Sequence, residues 1–275
     1  MFLALGIGVL LGASIGGQGV SNARKGLEQS LRGDLNDARA KSSDLRDELG
    51  LRDEFERQAY AGLVGNLLPR YRIGIVAIGD LPSDYAPAIR DAVEPAGAEI
   101  ASVSVIRAPL PIDQLNRDLK RTSLVPLDRD PAALSRFGRR FGRQIANSGP
   151  LLEKVRSDLF SSSRGEYRGL DGIVWVRNRE GLKGDQKSAE DRFESGLLNG
   201  MQSTAAKVVG VESRDTNPSQ IPAMNKYGLA SVDDIDLVAG RAALVYTLLG
   251  ADGQFGVKDT ADQLLPPAIA GPAQH

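Results

Sequence analysis

The chain has 275 residues, a formal net charge of −1 at pH 7, 41% hydrophobic residues and 25% charged residues. This composition is typical of one globular domain with an extension, and the near-zero charge excludes a globally basic protein that binds nucleic acid. Cysteine is absent, and the single histidine, His275, is the last residue. Disulfides, thiolate metal sites and cysteine nucleophiles are therefore excluded, and imidazole chemistry is left to the terminal residue alone.

The N-terminal segment, residues 1–21, predicts a transmembrane anchor. No charged residue occurs before Arg24, and a helix of about 20 residues is about 30 Å long, which matches the apolar core of a bilayer. Gly8, Gly12 and Gly16 recur at every fourth residue and form the kind of small-residue face through which membrane helices pack. A dinucleotide-binding loop needs a preceding strand and a different glycine spacing, and a cleaved signal peptide needs a basic segment before the apolar run.

Residues 22–68 predict a long amphipathic helix that pairs as a coiled coil. Its apolar positions recur at spacings of three and four, with charged residues between them. The stripe slips where Arg52 and Glu56 take the next core positions, as in a coiled-coil stutter. A coiled coil implies a homodimer, and a helix folded back onto its own domain is the alternative. The predicted core residues are Leu27, Leu31, Leu35, Ala38, Leu45 and Leu49.

Residues 70–265 predict a mostly parallel α/β domain of the Rossmann or flavodoxin type, because buried apolar strands alternate with helices. Asp130 followed by Pro131 is typical of an N-cap and a first helical residue. Residues 109–131 are expected to form a loop with a little helix, and the tail at residues 266–275, rich in Pro, Ala and Gly, is expected to be disordered. Strands are predicted at residues 72–80, 99–106, 169–179 and 207–214, and a long apolar helix at residues 233–250.

The segment RFGRRFGR predicts a helix with two different faces. Phe137 and Phe141 are expected to face the core. The arginines suit an anionic partner such as a lipid headgroup, an envelope polymer or an acidic protein surface, and a solvated helix face is the alternative. The candidate patch consists of Arg136, Arg139, Arg140 and Arg143.

Three polar segments are assigned structural roles. Asp233, Asp234 and Asp236 are expected to cap a helix rather than to bind a hard cation. Residues 161–167, SSSRGEY, are expected to form a loop, and residues 78–85, IGDLPSDY, to form an ordinary connection without a phosphate-binding glycine pattern. No pair of carboxylates is singled out by its spacing, so the chain is predicted to be non-enzymatic, without a cofactor and without a metal site.

Four segments, taken in chain order, carry a family resemblance: FLALGIGVLLGASI, the leucine-spaced polar helix, RIGIVAIGD and GVKDTADQLLP. Together they resemble the MctB family of actinobacterial envelope proteins, from Phe2 to Pro266. The resemblance implies a single N-terminal anchor, a body outside the cytoplasmic membrane and a role in copper efflux or homeostasis. Some relatives resemble cell-separation proteins that work with a membrane partner and influence wall hydrolases. The positive-inside rule alone favours the opposite orientation, because Arg24 and Lys25 follow the apolar run.

Two hypotheses follow for the function. Cu(I) prefers thiolate or thioether ligands and Cu(II) favours imidazole, and beyond the first residue the chain offers only Met201, Met224 and His275. In the first hypothesis, the protein contributes to copper homeostasis indirectly, within a complex whose other members bind the metal. In the second, anchor and coiled coil pair two copies into an envelope scaffold that holds a membrane protein partner in cell division or separation. Nucleic acid is an expected partner in neither.

Overall fold

The structure is a computed structural model that describes residues 2–120, 126–179 and 181–270. The main chain alone is described at residues 2–26 and at Glu28, Asp53, Arg57, Pro131 and Ala270. The chain divides into two compact units, Met1–Arg57 and Gln58–His275.

The first unit is part of one uninterrupted helix, α1 (Phe2–Val64). The predicted anchor and the predicted coiled-coil segment therefore share a single helix, which ends four residues before the boundary at residue 68. Gly8, Gly12 and Gly16 lie in α1, but their surroundings fall outside the described side chains. No helix long and apolar enough to cross a membrane is found where side chains are described. The five stripe leucines are 49–63% exposed, and Ala38 is exposed as well.

The second unit is built on a seven-stranded sheet with the order β3-β2-β1-β4-β5-β6-β7. All neighbouring strands are parallel except β2 and β3. The parallel strands alone follow the flavodoxin-like order, whereas the antiparallel edge strand β3 extends it to the Rossmann-like order. The strands are β1 (Arg72–Gly79), β2 (Glu99–Ile106), β3 (Phe160–Gly165), β4 (Gly172–Asn178), β5 (Lys207–Val211), β6 (Ala230–Val232) and β7 (Gln254–Phe255).

Helices cover both faces of the sheet. The described helices after α1 are α2 (Tyr85–Val93), α3 (Ile112–Leu119), α4 (Pro131–Asn147), α5 (Pro150–Leu159), α6 (Gly184–Gln202), α7 (Ile221–Lys226), α8 (Val238–Leu248) and α9 (Pro267–Ala270). One apolar core contains residues of α2, α8 and the end of α1, and the other contains residues of α3 to α7. Strands with apolar side chains on both faces are the expected centre of such a fold.

The end of α1 and the residues directly after it belong to the core of the second unit. Tyr60, Val64 and Leu68 are buried there, and the Tyr60 hydroxyl donates a hydrogen bond of 2.8 Å to the Ala92 carbonyl. These residues were predicted as the end of the coiled-coil segment. Their burial shows that the amphipathic pattern serves the α/β domain at this end of the helix.

Glycines bring α4 and α6 into backbone contact. Gly138 and Gly142 on α4 face Gly196 and Gly200 on α6, and a Cβ atom at any of the four would overlap a carbonyl oxygen of the facing helix. The same α4 carries Phe137 and Phe141, which are fully buried, as predicted. Glycines four residues apart on each helix therefore allow α4 and α6 to pack closely inside this domain.

Two local predictions require correction. Residues 161–167 were expected to form a loop, but residues 161–165 belong to the edge strand β3. The hydrophilic side chains of this strand are compatible with an edge position that is mostly solvent-exposed. Helix α8 begins at Val238, and its N-cap is Leu237 without a side-chain hydrogen bond. The three aspartates before it therefore do not cap it.

Other local predictions hold. Asp130 accepts a hydrogen bond from the Ala132 N–H at 2.8 Å, which makes it the N-cap of α4. The expected loop before it includes the short helix α3. Of the tail that was expected to be disordered, α9 covers residues 267–270, and residues 271–275 lie outside the described part of the chain.

Candidate functional site

A polar cleft of about 360 Å³ lies at the carboxyl edge of the sheet. Its walls are formed by residues 82–85 after β1, residues 177–179 at the end of β4, and residues 213–220 after β5. β1 and β4 are neighbours although the chain visits β2 and β3 between them, so the cleft is at the crossover point where open α/β sheets bind ligands. The segment after β1, predicted as an ordinary connection, forms one wall of it.

Tyr85 ties two walls of the cleft together. Its hydroxyl oxygen accepts a hydrogen bond from the Ser213 N–H at 2.9 Å and is 3.0 Å from the Thr216 hydroxyl. Burial raises the pKa of Tyr85, so its phenol is protonated at neutral pH. The tyrosine therefore holds the loop after β5 at a fixed distance from α2.

A buried ionic network lies beside the cleft. Arg177 Nε is 2.9 Å from Glu194 Oε1, and Arg179 Nη2 is 2.7 Å from Glu194 Oε2. Arg179 also pairs with Asp191 on the same helix as Glu194. The Arg179 and Glu194 side chains are 2% and 0% exposed, so removal of one partner would leave an uncompensated buried charge. The network fixes the two arginines at the end of β4.

Glu190 is a second buried carboxyl on α6. One of its oxygens accepts a hydrogen bond from the Leu110 N–H, and the other has no hydrogen-bond partner among the described residues. Burial raises the pKa of Glu190 to about 7, against the opposing effects of that hydrogen bond and of Arg179. This carboxyl therefore changes its protonation state near neutral pH.

Lys258 fixes the loop after β5, which forms one wall of the cleft. Its Nζ atom is 2.6 Å from Glu212 Oε1 and donates hydrogen bonds of 2.9 Å to the carbonyls of Ser213 and Thr216. All three ammonium protons thus have partners. The other Glu212 oxygen accepts from the Gln220 N–H, so one ion pair fixes both ends of the loop after β5.

The segment around Lys258 is held in turn by Asp233. The Asp233 carboxylate accepts hydrogen bonds from the N–H groups of Val257 at 2.8 Å and Lys258 at 3.1 Å. Gly256 has φ +139°, and a Cβ atom there would overlap this carboxylate. The GVK part of GVKDTADQLLP therefore has a structural reason for its glycine and its lysine. Sequence reasoning singled out the segment but missed these roles.

The predicted arginine patch lies on α4, away from the residues that line the cleft. Arg136, Arg139 and Arg143 are exposed and Arg140 is half-buried. Arg136 Nη2 pairs with Asp130 at 2.6 Å. None of the four is among the residues that line the cleft. The patch as an anionic-partner surface stays a prediction.

The two candidate copper ligands, Met201 and Met224, are both fully buried in the same apolar core. The sulfur of Met224 packs against Gly210, where a Cβ atom would crowd it. Within the described residues there is no group of three or more His, Cys, Asp or Glu side chains that could hold a metal ion.

A doubly wound sheet with a polar cleft at its crossover defines the class of α/β domains in which ligands bind at the carboxyl edge. The family model described as copper transport outer membrane protein, MctB, matches residues 1–266. The chain belongs to the MctB family, which confirms the resemblance seen in the sequence, and at family level it is an envelope protein related to copper transport. A comparison with curated proteins gives no match.

Proposed function

We propose that the chain is a membrane-anchored, non-enzymatic envelope protein that supports copper homeostasis without coordinating copper itself. Its α/β domain acts through a partner or ligand, and other members of a complex bind the metal. The observation that carries this proposal is the complete burial of Met201 and Met224.

Both thioethers act as packing groups in an apolar core. Exposing a buried methionine side chain costs about 1.5–3 kcal/mol in lost burial, and the space left behind adds a further cost. Copper coordination by Met201 or Met224 would therefore compete with the stability of the domain. The sequence contains no cysteine and one histidine, so few alternative copper ligands remain.

A Cu(I) titration tests the proposal directly. The full chain in a neutral detergent is titrated against a chromophoric Cu(I) chelator, and we expect no site with micromolar or tighter affinity. Met201→Leu combined with Met224→Leu preserves core volume, and His275→Ala removes the only imidazole. A stoichiometric site that is lost in the methionine double variant, with folding retained by circular dichroism, would overturn the indirect role.

The membrane anchor is proposed at residues 1–21, with the body outside the cytoplasmic membrane. It is supported by the uninterrupted helix α1 and by the absence of charge before Arg24. We expect alkaline washing to leave the full chain in the membrane fraction, and deletion of residues 2–21 to release it. Protease added to intact spheroplasts should digest the body. A body protected from protease would place it on the cytoplasmic side and contradict the orientation.

A second candidate function is an envelope scaffold that pairs two copies through α1 and holds a membrane protein partner in cell division or separation. The specific observation in its favour is the row of exposed leucines on α1, at 49–63% exposure. An apolar stripe on a polar helix is typical of a surface that packs against another helix. A homodimeric coiled coil would bury it.

Sedimentation of the full chain in detergent tests the dimer. We expect a dimer at micromolar concentration, and we expect Leu31→Lys with Leu45→Lys to convert it to monomer by placing charges in the seam. Leu51 is 76% exposed and lies outside the predicted core positions, so Leu51→Lys is the matched control and should leave the dimer intact. A native chain that sediments as a monomer at high micromolar concentration would exclude this pairing.

A further inference from the structure

A second groove, of about 370 Å³, lies beside α4, α6 and α7. Arg177 lines both this groove and the cleft. Four of the described lining residues are cationic, three carry hydroxyl groups, and Asp191 is the sole carboxylate among them. The cations are Arg177, Lys187, Arg192 and Lys226, and the hydroxyl groups belong to Ser135, Ser195 and Tyr227.

The positive charges of the groove are only partly compensated. Arg177 pairs with Glu194 at 2.9 Å, and Lys187 pairs with Asp191 at 2.6 Å. Among the described residues, the exposed side chains of Arg192 and Lys226 have no carboxylate within 4.0 Å. Two cations without internal partners thus line a concave surface, where both would attract a bound anion.

The three hydroxyl groups of the groove can donate hydrogen bonds. Burial, with a further effect from Glu194, raises the pKa of Tyr227 to about 12, so its phenol is protonated at neutral pH. Ser135 on α4 and Ser195 on α6 add two hydroxyls. Arg177 is held from behind by Glu194 and Gln220, so its guanidinium is ordered before any ligand arrives.

We propose that this groove binds a phosphate group, free or esterified. A phosphate offers several acceptor oxygens to the hydroxyl donors that line the groove and to arginine, whose planar guanidinium can bind two of them at once. The volume exceeds that of a phosphate ion and leaves space for a substituent. The proposal is independent of the role in copper homeostasis, because it depends on the α6 and α7 surface and not on the methionines.

Titration of the full chain in a neutral detergent tests this site, with inorganic phosphate and glycerol 3-phosphate as separate probes at constant ionic strength. We expect saturable binding by calorimetry and a rise in Tm of the native chain with phosphate concentration. Arg192→Gln combined with Lys226→Gln removes the two unpaired cations, and we expect affinity to fall about tenfold or more. Tighter binding of glycerol 3-phosphate would identify an ester as the source, and tighter binding of inorganic phosphate would identify the free ion.

Arg143→Gln is the matched control, because Arg143 is exposed on α4 and does not line the groove. It removes one charge from the same domain, and we expect phosphate affinity within twofold of the native value. The two groove substitutions replace exposed side chains, so unchanged circular dichroism is expected for both variants. The proposal is overturned if neither probe binds at millimolar concentration, or if the groove variant and the control bind phosphate equally well.

Discussion

Glu190 shows how a single buried carboxyl makes the stability of this fold depend on pH. Its pKa is about 7 in the folded chain, against 4.5 for the free side chain, and burial is the main cause. The folded state therefore binds a proton more tightly than the unfolded state between these two values. Linkage requires that the stabilising contribution is fully present below pH 4.5 and is lost as the pH rises through 7. Asp234, which is buried and has its pKa raised to about 7, acts in the same direction.

We expect Glu190→Gln to flatten the dependence of stability on pH. The native chain should have a lower Tm at pH 8 than at pH 5, and the variant should lose less Tm over the same interval because its amide does not ionise. Differential scanning calorimetry at several pH values measures this. Asp252 is an exposed carboxylate, so Asp252→Asn should keep the native slope. Equal slopes in native chain and Glu190→Gln would show that Glu190 titrates as a solvated carboxyl.

The roles of single polar residues were the least predictable part of the site. Asp233 was assigned to a helix cap because it precedes an apolar helix, yet it binds backbone N–H groups 24 and 25 residues later in the chain. Lys258 reaches Glu212, 46 residues earlier. Such partners are set by the order of strands in the sheet, which a local sequence pattern does not specify.

At the scale of elements, the sequence predicted the strands whose positions are indicated by a pattern of apolar residues. The strands β1, β4 and β5 are mostly apolar, and β2 alternates apolar residues with Ser102 and Ser104. All four lie where they were predicted. β6 and β7 have three and two residues, too few for a periodic signal, and β3 is hydrophilic. The α4–α6 contact was not predicted, although glycines at a spacing of four in both helices were a readable signal for it.

We expect Gly142→Ala to destabilise the second unit by about 1–3 kcal/mol, because the added methyl group overlaps the Leu197 carbonyl and the helices must separate. Urea unfolding monitored by circular dichroism measures the loss. Gly62, near the end of α1, has open space where an added methyl group would lie, so Gly62→Ala should be neutral or stabilising by up to about 1 kcal/mol. A Gly142→Ala variant as stable as the native chain would mean that α4 and α6 separate at little cost.

At the scale of the whole molecule, the second unit begins inside the long helix. The compact unit starts at Gln58, whereas the α/β domain was predicted from residue 70. The apolar stripe slips at Arg52 and Glu56, just before this boundary, but the slip was interpreted as a coiled-coil stutter and not as the start of the domain. Tyr60, Val64 and Leu68 complete a core whose other members include residues of α2 and α8.

A chain that starts at residue 58 should therefore fold as a cooperative unit, and a chain that starts at residue 70 should not match its stability. Loss of three buried side chains exposes the apolar surface beneath them, and we expect more than about 3 kcal/mol of lost unfolding free energy. Urea titrations of the two shortened chains in parallel provide the measurement. Equal midpoints would show that the end of α1 contributes only surface packing.

The contacts of Lys258 with Glu212, Ser213 and Thr216 have a consequence for biosynthesis. Its three partners belong to the loop after β5, but the lysine itself follows β7. During translation α1 and the first six strands are therefore synthesised before Lys258, the residue that holds this loop. A polypeptide cut short by a premature stop codon before residue 254 would therefore keep α1 and six of the seven strands, but its loop after β5 would lack the ammonium group that holds it.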